Sequence, residues 1–142
     1  LRQADQNSLV AGMLITDGST ENFDMAVPDN AAGVEATLNI ARAVQITDIG
    51  ISVNIEHTYI GDLTVDLVSP AGQVISLHQR AGSGTDNIVK TYGMSGQTLP
   101  ELSQLSQTAG QGTWTLRVAD HASSDLGRIL EFGVAIKGYW AD

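Results

Sequence analysis

The sequence predicts an all-β fold, a two-layer β-sandwich of about eight mainly antiparallel strands, and three observations predict it. First, two runs alternate between apolar and polar residues: Ile49, Ile51, Val53 and Ile55 against Asp48, Ser52, Asn54 and Glu56, then Leu63, Val65 and Leu67 against Thr64 and Asp66. Side chains alternate across a pleated strand, so each run has one buried and one wet face, as in an antiparallel sheet. Second, Ser69-Pro70-Ala71-Gly72 follows the second run and reads as a hairpin turn. Third, convincing helical periodicity is absent, and the segments between strands are rich in Gly, Pro, Asn and Asp, which favours jelly-roll or Greek-key connections.

The remaining elements follow in order. Residues 1–22 mix polar residues around the short apolar stretch Leu9 to Ile15 and are read as a linker or an extra edge strand, with the folded domain occupying 23–142. Val27-Pro28-Asp29-Asn30 signals a turn, after which Val34, Ala36, Leu38 and Ile40 alternate with Glu35, Thr37 and Asn39. Val74 to His78 form a short strand with Ile75 and Leu77 on one face, Gly82 to Asn87 a loop, and Ile88 to Tyr92 a return to the sheet. Residues 93–112 read as irregular, except that Thr98 three residues before Glu101, with Pro100 between, suggests one short helical turn capped by Thr98. Trp114, Leu116 and Val118 mark one late strand, and Leu130, Phe132, Val134 and Ile136 mark the last.

A chain of 142 residues buries most of its apolar surface as one domain without staples, and it has no cysteine. Sixteen acidic against seven basic residues give a formal charge of −9, with no Lys or Arg cluster to neutralise phosphates. Nucleic acid and anionic membrane are therefore not expected partners. The chain begins at Leu1 without a signal segment or an apolar stretch of bilayer length, and is expected to be a piece of a larger protein.

Few residues carry chemistry. Gly-x-Ser-x-Gly, His-Glu-x-x-His and phosphate-binding glycine motifs are all absent. His57 continues the buried parity of Ile55 and reads as a hydrogen-bonded structural residue, whereas His78 and His121 read as surface or loop residues. Asp62 opens a strand, Asp120 closes one, and Asp125 and Asp86 lie in loops. Calcium takes six to eight oxygens from such turns, so these four carboxylates are the candidate metal ligands; the competing reading makes them acceptors for turn N–H groups. Asn87, and Asp29 with Asn30, share both readings. Tyr59 and Tyr92 are candidates for a stacking surface for sugar or peptide, and Tyr139 and Trp140 for the same role or for a docking face, while Trp114 reads as core.

The run His57-Thr58-Tyr59-Ile60-Gly61-Asp62-Leu63, then Leu67 to Gly72, then Gly112-Thr113-Trp114-Thr115-Leu116-Arg117-Val118-Ala119-Asp120, then Gly127 to Gly138, closely resembles the P domain (Homo B domain). That module follows the subtilisin-like catalytic domain in kexin- and furin-type proprotein convertases and occurs in many secreted bacterial proteases. The resemblance spans residues 24–138. Val27 to Asn30 and the Ala81 to Ile88 loop look like the bacterial members, and residues 93–112 lack the tryptophans that eukaryotic convertases carry there. The resemblance implies a non-catalytic jelly roll from an extracellular, subtilisin-like serine protease. It implies packing beside the catalytic domain and support for its folding, stability and calcium dependence, with Ca2+ at the candidate carboxylates. The alternative is a module that tethers the protease to protein or polysaccharide.

Overall fold

The computed structural model describes residues 12–28, 32–94, 96–122 and 126–141. Eight strands build it: β1 (Leu14–Val27), β2 (Val34–Ile40), β3 (Val44–His57), β4 (Leu63–Val68), β5 (Val74–Gln79), β6 (Ile88–Gly93), β7 (Gly112–Asp120) and β8 (Gly127–Trp140). They form two four-stranded sheets with the orders β1-β8-β3-β6 and β2-β7-β4-β5, every neighbouring pair antiparallel. Successive strands from β1 to β4 pass between the sheets in the jelly-roll order. The expected sandwich of eight antiparallel strands is the observed one.

The alternating residues meet between the sheets. Ile49, Ile51, Val53 and Ile55 face Leu63, Val65, Leu67, Trp114, Leu116 and Val118, all at most 3% exposed. Trp114 lies at the centre, 0% exposed, and its indole N–H donates to the Gly110 carbonyl at 2.9 Å, so burying the ring strands no donor. The Ser69–Gly72 turn forms as expected. The Gly72 N–H donates to the Ser69 carbonyl at 2.9 Å, and Gly72 takes φ +88°, a conformation that favours glycine.

Bulges account for most departures from simple alternation. A bulge inserts an extra residue and changes which parity points inward. Between Ile46 and Asp48 it lets Val44 and Ile46 share the core with Ile49 and Ile51. In β8, where Leu130 was expected inside, a register shift seats Ile129 opposite Ile55 at 0% exposure and leaves Leu130 half-buried. In β5 the shift places Leu77 and His78 both inward, which corrects the surface reading of His78: it is 8% exposed. β1 runs through residue 22, where the sequence suggested a boundary, as an edge strand with its own irregularity between Asn22 and Met25. Its apolar signal is thin because only Ile15 and Val27 are fully buried, with Phe23 and Met25 packed at the core margin. The helical turn at 98–101 is a 3-10 helix, Pro100–Leu105. Its N-cap residue is Leu99 without a side-chain cap, so Thr98 does not cap it; Leu102 and Leu105 anchor it to the core instead.

Candidate functional site

Three connections meet at the end of the sandwich where β3 and β7 finish. Both terminal residues follow the inward parity of their strands, His57 after Ile55 and Asp120 after Val118. The turn between β3 and β4 contains a one-turn 3-10 helix, Ile60–Asp62. It is strapped to the β5–β6 loop by the Ile60 N–H donating to the Thr85 carbonyl (3.0 Å) and the Gly61 N–H to the Ser83 carbonyl (2.9 Å). A Cβ on Gly61 would fall 2.9 Å from the Ser83 Cα, so this close approach requires glycine. Asn87, at φ +63°, accepts from the His57 N–H through its side chain (3.0 Å) and donates its own N–H to the His57 carbonyl (2.8 Å).

His57 and Asp120 are both fully buried, with Nε2 and Oδ2 2.8 Å apart. The Tyr59 N–H donates to His57 Nδ1 at 2.9 Å, so that nitrogen is an acceptor and the ring carries its hydrogen on Nε2, which donates to Asp120. The other Asp120 oxygen accepts from the Ala122 N–H at 3.2 Å. His57 belongs to one sheet and Asp120 to the other, so the pair is a polar tie across the core. His57 is buried and hydrogen-bonded, as its parity predicts. With both ring nitrogens committed to protein groups, the pair positions backbone and has no free nitrogen with which to move a substrate proton.

The structure places the candidate ligands apart in role. Asp120 is spent on His57 and Ala122. Asp62 is 8% exposed and accepts the His121 N–H through its backbone carbonyl at 2.8 Å. Asp86 is exposed in the β5–β6 loop. Asp125, Asp29 and Asn30 lie outside the described residues. Among the described residues, no three His, Cys, Asp or Glu side chains are grouped to hold a metal ion. His121 is exposed, as expected, with Nε2 2.8 Å from the Thr64 hydroxyl. His78, which sequence reasoning missed because no alternation pattern reveals a bulge, directs Nε2 to the Ile60 carbonyl at 2.9 Å and braces the same 3-10 turn.

The aromatic candidates also separate. Tyr59 is 41% exposed, its ring against the β5–β6 loop, where a Cβ on Gly84 would fall 3.3 Å from the ring edge. Tyr92 is corrected: β6 pairs it with Ile51 and turns its ring into the core, 2% exposed, where it offers no stacking face. Trp140 is likewise buried at 5%, with the Arg42 guanidinium 5.8 Å from its ring centroid, while its neighbour Tyr139 stays exposed.

Burial pushes the Tyr92 phenol above its ordinary value of 10.0. The folded state thus holds the proton more tightly than the unfolded chain, and stability present below pH 10 falls as the pH rises beyond it. In urea titrations Tyr92→Phe is expected to lose less stability than the wild type between neutral pH and pH 11.

No helix among the described residues is long and apolar enough to cross a membrane. The chain matches the family model of the proprotein convertase P-domain over residues 46–136. Leupeptin-inactivating enzyme 1 of Streptomyces exfoliatus is 40% identical over 129 residues, 86% of this chain and 27% of that protein. A calcium-dependent protease of Trichormus variabilis is 46% identical over 105 residues, 72% of this chain and 16% of that protein. The chain thus spans well under a third of the length of either relative. Its fold resembles part of the serine protease of Aeromonas sobria in complex with a chaperone, with a TM-score of 0.67 at 18% identity over 96% of this chain and 29% of that one. The motifs, the jelly-roll topology and these matches agree: the chain belongs to the proprotein convertase P-domain family.

Proposed function

We propose that this chain is the non-catalytic accessory domain of a secreted bacterial protease of the subtilisin-like serine class. In this reading it packs beside the catalytic domain outside the cell and supports that domain's folding, stability and calcium dependence. The observation that carries the reading is the fate of the polar groups at the loop end: His57 and Asp120 are bonded to each other, and their other nitrogen and oxygen accept from the Tyr59 and Ala122 backbone N–H groups. The relatives add support: a calcium-dependent protease and a leupeptin-inactivating enzyme, each several times longer than this chain, contain its counterpart. Co-expression tests it. Without residues 24–138 the longer protein's catalytic domain is expected to mature poorly and to inactivate faster on heating; equal maturation and equal heat survival would overturn the reading.

A second reading, a module that tethers the protease to protein or polysaccharide, draws on Tyr59, whose ring is held by the adjacent loop with one side open. Retention of the chain on insoluble collagen, elastin, chitin or cellulose, lost in Tyr59→Ala, would favour it over the first.

A further inference from the structure

The outer faces of the two sheets use their charges differently. On the β2-β7-β4-β5 sheet, Glu35, Arg117 and Asp66 stand in one register row, and Arg117 Nε lies 3.1 Å from a Glu35 oxygen, so that face answers its own charge. On the β1-β8-β3-β6 sheet, Glu131 and Lys137 both follow the outward parity of β8, opposite to the buried Phe132, Val134 and Ile136. Among the described residues neither takes part in an ion pair.

Between these two charges the face is low and neutral. Gly18, Ala135 and Gly50 stand in one row across β1, β8 and β3, and Thr20, Gly133 and Ser52 in the next. The two rows floor a shallow cleft of about 330 Å³ whose lining holds no charged residue. A neutral centre with charge kept to the rim is the distribution found in a docking surface, whereas an ordinary wet sheet face spreads its charge throughout.

The rim identifies what fits. Lys137 lies two residues beyond Ala135 and Glu131 two residues before Gly133, so the opposite charges stand equally far, roughly 10 Å, on either side of Val134. A two-fold axis that crosses β8 at Val134, parallel to the sheet and perpendicular to the strands, lays β8 antiparallel on β8 of a second copy. That operation sets Lys137 of each copy against Glu131 of the other, giving two equivalent ion pairs from one surface, as an isologous contact requires. It also sets Asp48, in register with Lys137, against Asn54, in register with Glu131, so an acceptor meets a donor and no like charges meet. The short side chains of the two middle rows let the sheets approach closely between the ion pairs.

We propose that this face is a self-association surface, through which two copies of the chain stack sheet on sheet about that axis. Four strands by about nine residues cover roughly 600 Å² per copy, or about 1,200 Å² in all, the lower limit for a specific stable interface, so the dimer is a weak one. The proposal concerns this chain's own surface and does not rest on the accessory role, so the co-expression result leaves it standing.

Sedimentation equilibrium of the full chain tests it, from about 5 μM to about 500 μM in low salt and in about 0.5 M salt. The wild type is expected to show a monomer–dimer equilibrium with Kd of about 10–100 μM in low salt, weakened about tenfold at high salt. Lys137→Glu and Glu131→Lys each weaken it by at least about tenfold, because each sets like charges together at both contacts. The double variant Lys137→Glu/Glu131→Lys restores association to within about threefold of the wild type, and Glu35→Gln on the opposite sheet leaves it unchanged. A wild type that stays monomeric throughout, association that ignores salt, an undiminished dimer in either single variant, or a monomeric double variant overturns the proposal. Should a charge variant fail to fold, Ala135→Arg, which fills the cleft, decides: lost association supports the surface and retained association overturns it.

Discussion

Asp120→Ala is expected to destabilise the domain by about 3–5 kcal/mol, because it leaves the His57 Nε2–H buried without an acceptor and opens a void between the sheet ends. His57→Ala has a comparable effect for the complementary reason: the Asp120 carboxylate, 0% exposed, keeps only the Ala122 N–H. The loss reaches beyond the pair, since Tyr59 gives up its acceptor and the turn that His57 organises loosens. Urea titration of both single variants and the double variant checks this. The double variant is expected to lose clearly less than the sum of the singles, as residues in one buried contact do. Additive losses would mean that the two side chains act separately.

Trp114→Ala is expected to cost about 3–5 kcal/mol, the range for removing a fully buried large aromatic ring. Trp114 occupies a central strand, opposite Leu38 of β2, and its N–H ties the 106–111 connection to β7 through Gly110. Replacement removes packing and that tie together. Trp114→Phe keeps most of the ring but strands the Gly110 carbonyl, so it is expected to fall between wild type and Trp114→Ala. Urea midpoints of the three proteins give the order, and a Trp114→Phe as unstable as Trp114→Ala would show that the hydrogen bond outweighs the packing.

Much of the fold was legible because period-two alternation reports burial directly: Ile49 to Ile55, Leu63 to Leu67 and Trp114 to Val118 are all inward, as read. Alternation fails wherever a strand adds a residue, and it therefore misassigned His78 and Leu130. β1 was obscure because an edge strand with two wet margins carries mostly polar residues, so Thr16 to Asn22 resemble a linker. At the site, His57 was legible from its parity and Asp120 could have been paired with it by the same rule, since each is the inward residue that closes its strand. Tyr92 departs from expectation for the opposite reason: its place beside a loop suggests a surface residue, although it shares the inward parity of Ile88.

The jelly-roll order also fixes when in synthesis the domain can form. The central strand β8 lies between β1 and β3, and β7 lies between β2 and β4, so each sheet is bridged by a strand from the last quarter of this sequence. Until residue 112 and beyond have emerged, the first four strands have hairpin or crossover neighbours but lack the strands that join them. Folding that depends on such distant pairings falls in the slow, millisecond-to-second class. For the nascent chain this means a long interval with β1 and β3 unjoined, in which the acidic Asp17, Glu21, Asp24 and Asp48 discourage pairing with other chains until β8 inserts.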